Sequence, residues 1–153
     1  MPHFLLRLAL LLIVALVCGV NAFAQRGTSF QGEWKWAIYA TSRDQLPPAY
    51  RNEPLKDVPG AAVYLKLKQR GNKITGEYSA SRRYLAKLED GDLSAVVKGN
   101  TTQLELTSGF GGTVTVRLTL QRNRLRWKTI KADGEHYFPD DVFLRRVVKR
   151  RRG

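Results

Sequence analysis

Acid–base chemistry in this chain would depend on acidic residues and a histidine in turn-like parts of the sequence. His136 follows Asp133 and Glu135, and a histidine beside carboxylates can act as a general base or as a weak metal ligand. A segment this polar is also typical of solvated surface. The adjacent carboxylates of Glu89-Asp90 and of Asp140-Asp141 point to opposite faces of any strand, so neither pair predicts a shared acid–base site.

Motifs that specify an enzyme class are missing from the sequence. It contains no G-x-S-x-G, no Walker loop, no H-E-x-x-H and no paired C-x-x-C. We therefore expect no catalytic residue, no metal site and no cofactor. The sequence favours a binding protein over an enzyme.

Aromatic residues are the candidates for holding a small ligand. In the mouth of a barrel, their rings could stack on a planar or sugar-like molecule. The same rings also suit a hydrophobic core, because a small barrel needs large side chains to fill its interior. The predicted ligand-binding residues are Trp34, Trp36, Tyr39, Tyr78 and Trp127.

Charge is the strongest compositional signal. The chain has 26 Lys and Arg against 13 Asp and Glu, a formal net charge of +13. Such a surface attracts polyanions, which outside the cytoplasmic membrane include anionic lipid headgroups and acidic polysaccharides, and we expect no specific nucleic-acid role. The alternative is that the charge serves solubility and that the basic terminus is a solvated tail. The predicted anion-binding residues are Lys149, Arg150, Arg151 and Arg152.

Residues 1–24 have the pattern of a secretory signal peptide. Arg7 precedes an apolar run from Leu8 to Val20, and Ala22-Phe23-Ala24 then matches an A-x-A cleavage site. The run is shorter than the roughly 20 apolar residues of a membrane-spanning helix. We expect cleavage before Gln25 and a secreted or periplasmic protein.

The single cysteine lies within this leader. Leu16-Val17 precede Cys18, whereas bacterial lipoprotein signals have a small residue just before the cysteine that carries the lipid. We therefore do not expect lipid anchoring through Cys18. After cleavage the chain would have no cysteine, so its stability would come from packing without disulfides.

Alternating residues predict the strands that would position these side chains. The pattern is clearest at 113–130, TVTVRLTLQRNRLRWKTI, where apolar and polar residues alternate on both sides of Gln121–Asn123. It predicts a hairpin of two half-buried strands, with Trp127 buried and Arg126 exposed. Because two strands are not stable alone in water, further strands must cover their apolar side.

Six further segments show the same alternation. Eight short strands favour an all-β fold, an antiparallel up-and-down meander that closes as an eight-stranded barrel over residues 25–148, because closure removes exposed edges. Residues 81–88 are expected to form a helical turn or a loose connection that ends at Asp90-Gly91. Residues 41–60 contain four prolines and predict a long loop, either one wall of a site or a floppy insertion. The six segments lie at 30–40, 63–67, 74–78, 93–97, 104–106 and 142–148.

Several of these features together resemble the calycin-type barrels, meaning the lipocalins and the avidin-like proteins. They are the early Gly32-x-Trp34, the strand pair LKLKQRGNKITGEY at 65–78, the segment DGDLSAVVKGN at 90–100 and Trp127 in a late strand. The tryptophan of Gly-x-Trp can plug one end of a barrel, while the glycine permits a close backbone approach. The resemblance implies a barrel that binds at its open end, without specifying a ligand.

Two functions follow from these observations. The first is a secreted or periplasmic binding protein that holds a small apolar or amphipathic ligand, or a partner, at the open end of the barrel. The second is a cell-envelope protein that binds anionic polymers or lipids through its basic surface. A deep apolar cavity would favour the first function, and a filled barrel with one basic face would favour the second.

Overall fold

The computed structural model describes residues 29–148, which form an all-β fold of eight strands. The hydrogen-bonded order is β4-β3-β2-β1-β8-β7-β6-β5, and every pair is antiparallel. The predicted up-and-down meander is confirmed, and it forms a nearly closed barrel. The predicted signal peptide and basic tail lie outside the described residues. The strands are β1 (Gly32–Tyr39), β2 (Pro59–Arg70), β3 (Lys73–Arg82), β4 (Lys87–Val96), β5 (Thr101–Thr107), β6 (Thr113–Gln121), β7 (Arg124–Asp133) and β8 (Asp141–Arg146).

Alternation along each strand sorts the side chains between the interior and the outer surface. In the β6–β7 hairpin, Leu118 lies opposite Trp127, and both are fully buried. Arg126 lies on the outer surface with 37% of its side chain exposed. The opposite orientations predicted for Trp127 and Arg126 are therefore confirmed.

The connection between β3 and β4 differs from the prediction. No helical turn forms; instead Arg83, Tyr84 and Leu85 all have positive φ and reverse the chain tightly. β4 then begins at Lys87, so Asp90-Gly91 lies inside a strand and does not end a loop. A Cβ on Gly91 would lie 2.9 Å from the hydroxyl oxygen of Tyr78, so this glycine makes room for a ring.

The long loop before β2 packs against the molecule. Three short 3-10 helices occupy it, at Arg43–Gln45, Pro48–Tyr50 and Leu55–Asp57. Leu46 and Val58 are buried in a small second core, with Tyr84 from the β3–β4 turn against it. This packing ties the loop to the β3–β4 turn, at the rim of the barrel.

A seam between β4 and β5 interrupts the barrel wall. These two strands are the edges of the hydrogen-bonded sheet, and an isolated bridge joins them at the turn that connects them. The hydroxyl of Thr102 donates across the seam to the carbonyl oxygen of Val96 at 2.9 Å. The hydroxyl of Tyr78 reaches the carbonyl oxygen of Thr107 at 3.2 Å. Side chains therefore bridge the wall where a regular ladder is missing.

Candidate functional site

The predicted ligand-binding aromatics lie at different depths. Trp34 and Trp127 are fully buried, and Tyr78 is 7% exposed. Trp36 packs at the border of the same core, whereas Tyr39 is partly exposed with the ammonium of Lys35 5.6 Å from its ring centre. The structure therefore brings Trp34, Trp36, Tyr78 and Trp127 into one interior and leaves Tyr39 apart from it.

Buried side chains fill this interior as one continuous cluster. Both buried tryptophans use their indole N–H groups within the protein: Trp34 donates to the carbonyl oxygen of Phe30 at 2.8 Å and Trp127 to that of Pro139 at 3.0 Å. The rings are thus held by packing and by hydrogen bonds. The members of the cluster are Phe30, Trp34, Val63, Leu65, Leu67, Ile74, Tyr78, Ala80, Leu93, Leu104, Leu106, Val114, Val116, Leu118, Leu120, Leu125, Trp127, Phe138 and Leu144.

The chain between β7 and β8, residues 134–140, lies across one end of the barrel, and we call it the strap. Its Phe138 is 2% exposed, with its ring centre 6.0 Å from that of Trp127 and 5.7 Å from that of Tyr78. The guanidinium of Arg82 donates to the carbonyl oxygen of Phe138, and the hydroxyl of Thr129 to that of Pro139. The strap therefore places a ring of the protein itself against two of the predicted ligand-binding residues.

Glu89 holds the strap in place, a role that no pattern in the sequence indicated. This carboxylate is 2% exposed. It accepts hydrogen bonds from the hydroxyl of Ser108 at 2.8 Å and from the backbone N–H groups of Gly109 at 3.1 Å and Tyr137 at 2.9 Å. Burial, together with the nearby charge of Glu89, raises the pKa of Tyr78. The three donors compensate the buried charge and join β4, the loop after β5 and the strap.

Arg146 seals the opposite end of the barrel. Its guanidinium lies 4.3 Å from the ring centre of Trp34 and donates to the carbonyl oxygens of Ser29 and Gln31. A Cβ on Gly32 would lie 2.5 Å from this guanidinium, and the φ of Gly32 is +128°. The sequence predicted a close approach of backbone at Gly32, whereas the group that lies there is the side chain of an arginine from β8.

His136 does not lie in a chemical constellation. Its ring stacks on Phe138 at 6.1 Å, and its Nδ1 is buried without a hydrogen-bond partner among the described residues. Within residues 29–148, no group of three or more His, Cys, Asp or Glu side chains is placed to hold a metal ion. Asp140 and Asp141 have different partners. The carboxylate of Asp141 pairs with Arg126, and the carbonyl oxygen of Asp140 accepts a hydrogen bond from the N–H of Thr129.

The outer surface of β6, β7 and β8, with the adjoining part of β1, carries a cluster of cations that we call the basic face. Register brings these residues together: Arg124 lies opposite Arg145, and Arg145 lies opposite Lys35. Lys128 lies opposite Arg117 on the next strand. The basic face consists of Lys35, Arg117, Arg124, Arg126, Lys128 and Arg145.

Asp141 is an acidic residue on this face, and it pairs with Arg126. The Nε of Arg126 donates to Oδ1 of Asp141 at 2.9 Å, and a second bond links Nη2 with Oδ2. Hydrogen bonding from Arg126 lowers the pKa of Asp141, and the same contact raises the pKa of Arg126. Of the other five cations, Lys128 also lies opposite Asp141, whereas the remaining four lie opposite other cations or neutral residues in the strand registers.

An exposed aromatic ring lies within the basic face. Phe143 is opposite Arg126 on β8 and is 40% exposed. The guanidinium carbons of Arg124 and Arg126 lie 5.0 Å and 5.8 Å from its ring centre. Cations at these distances interact favourably with the face of an aromatic ring, which helps to hold the ring on the surface.

The predicted anion-binding residues Lys149–Arg152 lie outside the described residues. They follow Val148 in the chain, shortly after Arg145 of the basic face. An anion-binding role was predicted for the cations at the terminus, whereas none was predicted for the cations of the basic face. Basic residues at alternate positions, Arg124, Arg126 and Lys128, were the signal for one strand of that face.

Across residues 29–148, no helix has the length and apolar character needed to cross a membrane. Comparison with models of protein families gives no match for this chain, and comparison with curated proteins gives none either.

Proposed function

We propose that this protein is a non-enzymatic binding protein of the cell envelope that holds anionic polymers or lipid headgroups on its basic face. The observation that carries the proposal is the set of directly opposed like charges: Arg124 with Arg145, Arg145 with Lys35, and Arg117 with Lys128. Like charges placed directly opposite one another on a sheet are destabilising. A bound polyanion would remove that repulsion.

The size of this repulsion is large enough to matter for a small domain. Cross-strand pairs contribute roughly 0.2–1 kcal/mol each, and like charges have the unfavourable sign. A whole domain is stable by only about 5–15 kcal/mol. A fold that needed these positions only for solubility could carry both signs on one surface, as β2–β4 does with Lys66, Glu77 and Asp92.

A small-ligand function in the style of the calycins has less support. The rings that would stack on a ligand pack instead against Phe138 and against the other members of the interior cluster. Export to the periplasm or the exterior, which the leader sequence predicts, would place the basic face among anionic envelope components.

The test is salt-dependent binding to inorganic polyphosphate, compared between two variants of equal net charge. Arg124→Gln with Arg145→Gln removes two charges from the basic face, and Lys66→Gln with Lys68→Gln removes two from the β2–β4 surface. We expect the first variant to bind at least about tenfold more weakly at low salt, and the wild-type affinity to fall steeply between about 50 and 200 mM salt.

The control variant should bind almost as well as the wild type. Equal losses in both variants would mean that net charge alone matters and would contradict a role for the basic face. Removing Lys149–Arg152 should weaken binding further, since these cations follow β8 in the chain. Salt-insensitive binding of a neutral apolar molecule would instead favour the small-ligand function.

A further inference from the structure

Exposed apolar side chains are concentrated near the basic face. Eight large apolar residues are exposed within residues 29–148, and four of them lie on β7, on β8 or directly after β8. Most protein surfaces carry such residues singly, and a group of them beside a charged cluster often marks an interaction site. The four are Ile130, Phe143, Val147 and Val148, with exposures of 40%, 40%, 37% and 79%.

Strand geometry places two of these residues on the same side as a cation. Phe143, Arg145 and Val147 occupy alternate positions, so they project from the same side of an extended chain. Contact with β1 continues one residue beyond β8, where the N–H of Val147 donates to the carbonyl oxygen of Glu33 at 2.8 Å. The aromatic ring of Phe143, the guanidinium of Arg145 and the aliphatic side chain of Val147 therefore form a row along this edge of the basic face.

Apolar side chains beside cations distinguish between two kinds of polyanion that are candidates for the basic face. A soluble polymer such as polyphosphate offers charge but no apolar region, so it would leave Phe143 and Val147 in water. A membrane with anionic headgroups offers phosphates at its surface and acyl chains just below them. Aromatic residues favour this boundary, and basic residues beside them reach the phosphates.

We infer that the basic face docks on an anionic phospholipid surface, with Phe143 and Val147 entering the headgroup region. The inference rests on the proposed function and narrows its partner to a lipid surface. Arg124, Arg126 and Arg145 contact lipid phosphates, and the ring centre of Phe143 lies 5.0 Å and 5.8 Å from the guanidinium carbons of Arg124 and Arg126. Binding is peripheral and reversible, because it depends on a few side chains and on charge.

The experiment measures binding to phosphatidylcholine vesicles with and without phosphatidylglycerol. Phe143→Ser removes the ring from the basic face, and Leu88→Ser removes an apolar residue of 54% exposure from β4 as the matched control. We expect Phe143→Ser to lower the partition coefficient on anionic vesicles about tenfold, which corresponds to about 1.4 kcal/mol. Leu88→Ser should bind as the wild type does. Thermal melting checks that both variants are folded.

A second pair of variants reports the depth of the side chain directly. With Phe143→Trp, the new indole should be quenched by brominated lipids and its emission should shift to the blue on anionic vesicles. With Leu88→Trp, neither change should occur beyond the signal of the wild type, in which Trp34 and Trp127 are buried and Trp36 is partly buried. Equal quenching in both variants would overturn the inference.

Polyphosphate separates the failure of this inference from the failure of the proposed function. Phe143→Ser should bind polyphosphate as the wild type does, because that polymer has no apolar phase. If polyphosphate binding depends on Arg124 and Arg145 but anionic vesicles bind Phe143→Ser and wild type equally, the lipid inference is wrong and the proposed function stands. If the double variant at Arg124 and Arg145 binds polyphosphate as well as the double variant at Lys66 and Lys68 does, the proposed function itself is wrong.

Discussion

The two sides of the barrel share one interior but differ in how they arrange charge. On β2–β4, Lys66 lies opposite Glu77 with 3.7 Å between charged atoms, and Glu77 lies opposite Asp92 on the next strand. On the basic face, Arg145 lies between Arg124 and Lys35. Both sides turn buried apolar residues inward, so the fold does not require this difference. The outward positions are free to be used for binding.

The β2–β4 surface also contains opposed like charges. Arg70 faces Lys73 beside the turn at 71–72, and Glu77 faces Asp92. Elsewhere its polar positions mix both signs with neutral residues such as Ser79 and Thr75. A surface with charges of both signs is soluble without creating a strong electrostatic field. A surface that carries mainly cations creates a positive field that attracts a polyanion.

The largest expected effect concerns what the two sides share. Trp127→Ala, beneath the basic face, and Leu65→Ala, beneath β2, should lower the free energy of unfolding by about 3–5 and 2–5 kcal/mol, because each leaves a cavity in one packed cluster. Arg126→Ala should change it by less than about 1 kcal/mol. Urea denaturation measures these changes. A small loss for either core variant would mean that the interior is not packed equally on the two sides.

The next largest expected effect on stability concerns Glu89, at the end of the barrel that the strap covers. Glu89→Gln should destabilise by about 1–3 kcal/mol, because the amide NH₂ would face one of the donors that the carboxylate now accepts from. Asp90→Asn, at an exposed neighbouring position, is the control and should have little effect. Thermal unfolding separates the two. Equal effects would show that the buried bonds of Glu89 are not what holds the strap.

A smaller effect should have opposite signs on the two sides. Arg145→Gln removes two like-charge pairs and should stabilise the protein by roughly 0.2–1 kcal/mol while weakening polyanion binding. Lys66→Gln removes a partner of Glu77 and should destabilise it by up to about 0.5 kcal/mol. Urea denaturation at low salt tests this, and high salt should reduce both changes. The same sign in both variants would contradict the comparison.

The smallest effect is the pH dependence of the ion pair on the basic face. The bond from Arg126 lowers the pKa of Asp141 in the folded state, so the pair adds stability above the ordinary aspartate pKa of about 3.9. That stability is lost as the pH falls through the lowered folded-state pKa. Acid titration of stability should therefore show a slightly shallower decline in Asp141→Asn. Identical titrations would mean that this exposed pair contributes nothing measurable.

Sequence patterns predicted the strands well because burial on one side of a strand leaves a period of two in the sequence. They predicted the burial of Trp127 for the same local reason. They failed at Gly91, where glycine serves a close contact with Tyr78 and not a turn. Dipeptides such as Asp-Gly favour turns in general, and only the neighbouring strand shows why this one does not form a turn.

The site was less predictable because it depends on register between distant strands. Lys35, Arg124 and Arg145 become neighbours only when β1 pairs with β8 and β8 with β7. The residues next to Glu89 in the sequence likewise suggested a turn. The three groups that donate hydrogen bonds to its carboxylate come from two other segments of the chain. Long-range pairing of this kind leaves no local signal in one sequence.

The barrel consists of two four-stranded meanders, β1–β4 and β5–β8, which face each other across the seam between β4 and β5. Each meander is built from hairpins close in sequence, and they meet through the short pairing of Trp34 with Arg146 and of Lys35 with Arg145. Local hairpins form before such distant pairs, so closure of the barrel is expected late in folding. In the native state, amide hydrogens on the seam edges of β4 and β5 should exchange with solvent faster than those of β2 and β7, which have neighbours on both sides.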